Sequence, residues 1–202
     1  MSKAIVFLAN GFEEIEASTI IDILRRGKVD VTVVGLDTQK VQGAHNIEFI
    51  SDTFIEKMNL ENFDAVILPG GSPGYKNLKK NKIVLTTIRE AFYKKKLVAA
   101  ICAAPAVFAE AGILKGKNCT IYPGMEIELK KGGGIPQNNW VVVDGNVITS
   151  QGPATALPFS IMLVEKLTGV QMAEQLRKKT LTKLVLKQNS PFISHNVKKN
   201  CD

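Results

Sequence analysis

The 202-residue sequence has only three cysteines, Cys102, Cys119 and Cys201, an odd count with no close spacing. That argues against a disulfide framework and against a zinc cluster, and no metal site is expected. Unpaired thiols suit a reducing compartment, so a cytoplasmic location is expected. Histidine is scarcer still: His45 and His195 stand far apart, and neither forms a motif with a cysteine. No apolar run approaches the ~18 residues of a membrane-spanning helix. The opening Met1-Ser2-Lys3-Ala4 leads straight into a strand pattern, so no leader peptide is expected. Phosphate-cradling loops of the GxxxxGK[ST] and GxGxxG types are both missing, which disfavours nucleotide binding, and no cofactor is expected. Internal repeats and interdomain linkers are missing too.

What is present is an ordinary globular composition, 45% hydrophobic and 22% charged, on a chain long enough to bury a core unaided. The formal net charge is +7, with lysines clustered at 76–82, at 94–96 and along 177–199. No aromatic–basic motif of an RNA-binding fold accompanies them, so they read as a solvated surface rather than a nucleic-acid site. Residues 1–187 read as one domain, and the polar, patternless stretch 188–202 as a flexible tail.

Short apolar runs alternate with helical patterns. Strands are expected at Ala4–Ala9, Val29–Leu36, Ala65–Leu68 and Val98–Ile101, and helices at Glu14–Arg26, Ile83–Tyr93 and Pro105–Ala111. Val141–Val143 and Val147–Ser150 read as a hairpin about Asp144-Gly145-Asn146. A long apolar helix over Ala154–Thr168, a shorter one over Gln171–Lys178 and a last strand over Leu181–Leu186 follow. Strands apolar at every position are buried on both faces, and their alternation with helices predicts an α/β sandwich with a mostly parallel sheet. Ligands of such sheets bind beyond the carboxyl ends of the strands.

Those ends hold the chemistry. Cys102 closes Val98-Ala99-Ala100-Ile101 and precedes Ala103-Ala104-Pro105. Small neighbours permit a sharp strand-to-helix turn, and Pro105 suits a first helical turn, as in a nucleophile elbow with sulfur in place of a serine oxygen. A helix N-terminus there is expected to lower the thiol pKa. A base is needed beside the sulfur. The candidates are the carboxylates of Gly11-Phe12-Glu13-Glu14-Ile15-Glu16, which also suit the start of a helix by charge alone. Glu16 borders the stripe of Ile20, Ile23 and Leu24, and Glu13 is a further candidate that periodicity does not separate from it. Gly70-Gly71, after a buried strand, lets backbone N–H groups approach a ligand oxygen.

Four segments then stand in order: Leu8-Ala9-Asn10-Gly11-Phe12-Glu13-Glu14-Ile15-Glu16, Val66-Ile67-Leu68-Pro69-Gly70-Gly71, Ala99-Ala100-Ile101-Cys102-Ala103-Ala104-Pro105 and Thr149-Ser150-Gln151-Gly152-Pro153. Together they resemble the ThiJ/PfpI family over about residues 3–187, in the branch of the Parkinson-linked protein deglycase and its bacterial relatives. The resemblance implies a flavodoxin-like three-layer sandwich and a homodimer. It implies Cys102 as nucleophile and redox-sensitive thiol, Glu16 as the carboxyl touching it, and Gly70 and Gly71 as donors on the substrate side, joined there by Ala103 and Tyr122. The activities it implies are glutathione-independent glyoxalase and protein or nucleotide deglycase, acting on methylglyoxal, glyoxal and their early adducts. The rival it also implies is a non-enzymatic oxidative-stress sensor or redox-regulated chaperone working through oxidation of Cys102. The family often has a histidine where Tyr122 stands, and the protease-like branch has one where Ala103 stands, so peptidase activity is not expected. The late His-x-Glu pair of the amidotransferase relatives is missing.

Overall fold

A strand apolar at every position must be covered on both sides, and Lys3–Leu8 shows how this is met. Ala4, Val6 and Leu8 enter one hydrophobic core, while Ile5 and Phe7 enter another across the sheet. The computed structural model describes residues 1–57 and 62–182. In chain order the elements are β1 (Lys3–Leu8), α1 (Glu14–Arg26), β2 (Asp30–Gly35), β3 (Lys40–Gln42), β4 (Glu48–Ile50), β5 (Thr53–Phe54), β6 (Ala65–Leu68), α2 (Gly74–Lys80) and α3 (Lys82–Tyr93). They continue with β7 (Leu97–Ile101), α4 (Pro105–Ala111), β8 (Asn118–Cys119), α5 (Glu126–Lys131), β9 (Ile135–Pro136), β10 (Val141–Asp144), β11 (Val147–Ser150), α6 (Ala156–Thr168) and α7 (Val170–Lys179).

The central sheet has the order β10-β11-β7-β6-β1-β2-β5. All its neighbours run parallel except β10, which pairs antiparallel with β11 as the expected hairpin. One core packs α1, α6 and α7 against the sheet through Ile20, Leu24, Phe159, Val164 and Leu176. The other packs α2, α3, α4 and α5 on the opposite face through Leu78, Ile88, Phe108 and Leu129. The result is the flavodoxin-like sandwich. Strand order reverses between β1 and β6, so the crevice past their carboxyl ends is the topological switch point where such sheets bind ligands.

Helix α1 begins where the sequence places it. Glu14 and Glu16 in the first turn and Arg25 and Arg26 in the last both complement the helix dipole. The long apolar helix starts at Ala156, two residues later than expected, because Pro153–Thr155 forms a 3-10 turn ahead of it. Of the strand expected over 181–186, Leu181 lies in a turn after α7, and residues 183–186 fall outside the described residues, as does the tail 188–202. The β3–β4 hairpin and the short α2 and α5 were not expected. They are brief and lysine-rich or polar, with too few apolar positions to show a period.

Leu24 is fully buried between α1 and the sheet. Leu24→Ala should cost about 2–5 kcal/mol of unfolding free energy, read as a lower urea midpoint with an unchanged slope.

Candidate active site

Chain direction brings four loops to one end of the sheet. β1 leads into α1 and delivers Glu16, β6 leads to Gly70, β7 leads to Cys102, and β11 ends at Ser150. Cys102 is held at φ +61, a left-handed conformation that a non-glycine residue adopts at a cost of roughly 1–3 kcal/mol. Both of its backbone groups are tied down by neighbouring segments. Its N–H donates to Ser150 O at 3.0 Å, and its carbonyl accepts from Tyr122 N–H at 2.9 Å. This is the elbow expected from the small-residue turn, and it lifts the sulfur off the strand, leaving it partly buried.

Beneath the sulfur lies Glu16, with no solvent exposure. Its Oε2 accepts from Gly70 N–H at 2.7 Å. Its Oε1 is buried with no hydrogen-bond partner among the described residues, and the carboxyl lies beside the Cys102 side chain, the two flanking the Gly70 position. A side chain at position 70 would not fit: a Cβ there would lie 2.6 Å from Cys102 Cβ and 3.0 Å from Glu16 Oε2. Gly71 adopts φ +94, and its Cβ would lie 2.3 Å from Glu13 N, so both glycines are required by geometry. The N–H groups of Gly71 and Ala103 lie near enough to the sulfur to favour its ionised form.

The electrostatics correct one expectation. The sulfur does not gain a lowered pKa from the helix that follows, since α4 begins three positions on, at Pro105, and is only seven residues long. Burial pushes the Cys102 thiol up to about 12, the charge of an ionised Glu16 pushes the same way, and the N–H groups of Gly71 and Ala103 pull it down. Burial likewise pushes Glu16 up to about 7, opposed by the Gly70 N–H and the Cys102 contact and reinforced by the charge of Glu13. The pair therefore resists carrying two negative charges. With the proton on the carboxyl, repulsion on the thiolate vanishes and an O–H donor faces the sulfur.

Gly70 is a second correction. Its N–H was expected to face a substrate oxygen, yet Glu16 takes it. The N–H groups near the sulfur belong to Gly71 and Ala103 instead. Tyr122 sits at the rim, about half exposed, bound to the elbow through its backbone, with its ring beside Gly152. Among the expected residues, Cys102, Glu16, Gly70, Gly71 and Ala103 thus converge, and Tyr122 borders them. One pairing escaped the sequence reading: Glu14 is buried, and His45, 31 positions away, lies against it. No local spacing links the two. Among the described residues no helix is long and apolar enough to cross a membrane.

A parallel sandwich with a strained cysteine elbow over a buried carboxyl defines a class of α/β proteins built around one thiol. The chain belongs to the DJ-1/PfpI family, which it matches over residues 2–166. Protein DJ-1alpha of Drosophila melanogaster is 40% identical over 181 residues, covering 89% of this chain and 83% of the relative. The Parkinson disease protein 7 homolog of Danio rerio is 35% identical over 178 residues, covering 87% and 94%. The crystal structure of Drosophila melanogaster DJ-1beta superposes with a TM-score of 0.85 at 37% identity, covering 90% of this chain and 98% of that one.

Glu16 also makes a prediction about stability. An acid whose pKa is raised by folding destabilises the native state as pH climbs from 4.5 through about 7, where the loss is complete. Glu16→Gln should therefore gain stability relative to the native chain across that interval, by roughly 3 kcal/mol in total, and the gain should disappear in acid. Urea unfolding of both proteins across this pH range measures it.

Proposed function

We propose that this protein is a cysteine-dependent, glutathione-independent glyoxalase and deglycase acting on methylglyoxal, glyoxal and their early adducts. The observation that carries the reading is a fully buried carboxyl, its pKa pushed up to about 7 by burial, beside a thiol on a positive-φ elbow. Membership of a family that includes deglycases and proteases supports it.

The chemistry follows from the closeness of that acid to the sulfur. The sulfur adds to the aldehyde carbon of methylglyoxal, and the thiol proton ends on the new hydroxyl by way of Glu16, giving a hemithioacetal. The Glu16 carboxylate then removes the proton from that carbon, forming an enediol, and returns it to the adjacent carbon to give a lactoyl thioester. Water cleaves the thioester, releasing lactate and restoring the thiol. The N–H groups of Gly71 and Ala103, which lie near the sulfur, are assigned to the oxygen that becomes charged, while Gly70 holds Glu16 in place. The same sulfur could attack the hemithioacetals and aminocarbinols that dicarbonyls form on proteins and nucleotides. The reaction needs a reduced thiol, which fits a cytoplasmic setting.

A second reading, a redox sensor or redox-regulated chaperone, draws on one specific observation. Glu16 Oε1 lacks a partner, and when protonated it would hydrogen-bond an oxygen added to the sulfur. Peroxide titration followed by intact mass, set beside turnover of fresh protein, separates the two. Addition of two oxygens with negligible turnover selects the sensor.

Proteins of this family are usually dimeric. The surface best suited to a second copy is the exposed apolar group Ile15, Ile47 and Ile50, beside a groove of about 340 Å³ lined by Ile21, Phe49 and Ile50. Ile50→Glu should shift the sedimentation coefficient toward a monomer.

For the chemistry, Cys102→Ala should abolish lactate formation from methylglyoxal, and Glu16→Gln should lower kcat by about 10²-fold or more with the fold intact. Lactate formation by the Cys102→Ala protein at the native rate would eliminate the enzyme reading.

A further inference from the structure

Glu14 is a buried carboxylate that the chemistry above does not use. It is 5% exposed, and both its oxygens are occupied by the turn between β3 and β4. Oε1 accepts from His45 N–H at 2.6 Å and Ile47 N–H at 3.5 Å, and Oε2 pairs with His45 Nδ1 at 2.9 Å. The fit is close, since a Cβ on Gly43 would lie 2.3 Å from Glu14 Oε1. Glu13 Oε2 stands 3.7 Å from the same imidazole nitrogen. These three groups are ligand types for a metal ion, but Glu14 already spends its lone pairs on hairpin donors, so the cluster works as an anchor.

What it anchors is the segment that enters α1. On the hairpin side, Gly11 N–H donates to Gln42 O at 2.7 Å, Ala44 N–H donates to Phe12 O at 2.8 Å, and the Phe12 and Phe49 rings meet edge to face at 4.9 Å. On the other side the same segment holds Gly70 by both of its backbone groups. Glu13 N–H donates to Gly70 O at 3.0 Å, and Gly70 N–H donates to Glu16 Oε2 at 2.7 Å. The start of α1 is thus a strut, braced by the hairpin outside and gripping the Gly70 peptide inside.

We propose that Glu14 is a positioning residue: by clamping the β3–β4 turn to the start of α1, it fixes the Gly70–Glu16 contact that governs the Cys102 proton. This rests on the reading of Cys102 and Glu16 as the reacting pair. His45 makes the clamp sensitive to pH. The charged groups facing its exposed ring are Glu14 and Glu13, while on its own hairpin Lys40 and Glu48 pair with each other at 2.8 Å. The hydrogen bond to Glu14, and then the charges of Glu13 and Glu14, raise the imidazole pKa above its ordinary 6.5. The imidazolium's share of the clamp is therefore fully present below 6.5 and fades as pH rises through the raised value.

The test is peptide-resolved alkylation of Cys102 by iodoacetamide from about pH 5 to 8, with thermal unfolding alongside. The proteins compared are the native chain, Glu14→Gln and His45→Gln. Glu14→Gln keeps an acceptor for the turn but drops the charge, and His45→Gln keeps the backbone donor but drops the titrating ring. Both should alkylate Cys102 about two- to fivefold more slowly at the acid end, the rate equivalent of losing one exposed charge-assisted contact. The His45→Gln deficit should close as pH rises past the imidazole titration. If Glu14→Gln alkylates at the native rate at every pH, the proposal is overturned, whatever its thermal midpoint does, and Glu14 only staples the hairpin. A His45→Gln profile superimposable on the native one overturns the pH-dependent part. Alkylation requires no dicarbonyl turnover, so failure of the clamp and failure of the glyoxalase reading give different results.

Discussion

The hydrogen bond from Gly70 N–H to the buried Glu16 carboxyl is the contact on which the site depends. A carboxyl with no access to water keeps its proton close to neutrality, and one backbone donor decides how firmly. The sulfur above it cannot ionise freely while that carboxyl is charged. Protonation of one group thus fixes the state of the other, and reactivity belongs to the pair rather than to either residue. The remaining architecture keeps this contact in register. β6 brings Gly70, β1 and α1 bring Glu16, and β7 brings Cys102 to one end of one sheet.

Strain is placed where the chemistry sits. Cys102 adopts a backbone conformation that side chains disfavour, and it is held there by Ser150 and by the backbone of Tyr122. The scaffold can carry that cost because the strands beneath the elbow are buried on both faces. Tyr122 braces the turn through its backbone, its N–H donating to the Cys102 carbonyl.

The sandwich was legible because its signal is dense: runs such as Ala65–Leu68 and Leu97–Ile101 are apolar throughout, and a parallel sheet is their natural home. The elbow was legible for a related reason, since small residues on both sides of a cysteine leave few other conformations. Periodicity could not separate Glu13 from Glu16. The difference lies in backbone conformation, because Glu13 is the extended residue before α1 while Glu16 lies in its first turn, buried. The lowered thiol pKa was misjudged because proximity to a helix start was visible in the sequence, while burial by distant strands was not. The Gly70 donor was assigned outward for the same reason: its partner comes from another part of the chain. The Glu14–His45 contact could not be read at all, being a product of tertiary packing between residues with no common motif.

The acid and the sulfur enter the sheet on strands that become neighbours only through β6, which pairs with β1 on one side and β7 on the other. An incompletely folded chain consequently carries an ordinary cysteine, solvated and indifferent to Glu16. The coupling between acid and sulfur is therefore a property of the paired sheet, present only where β6 bridges β1 and β7.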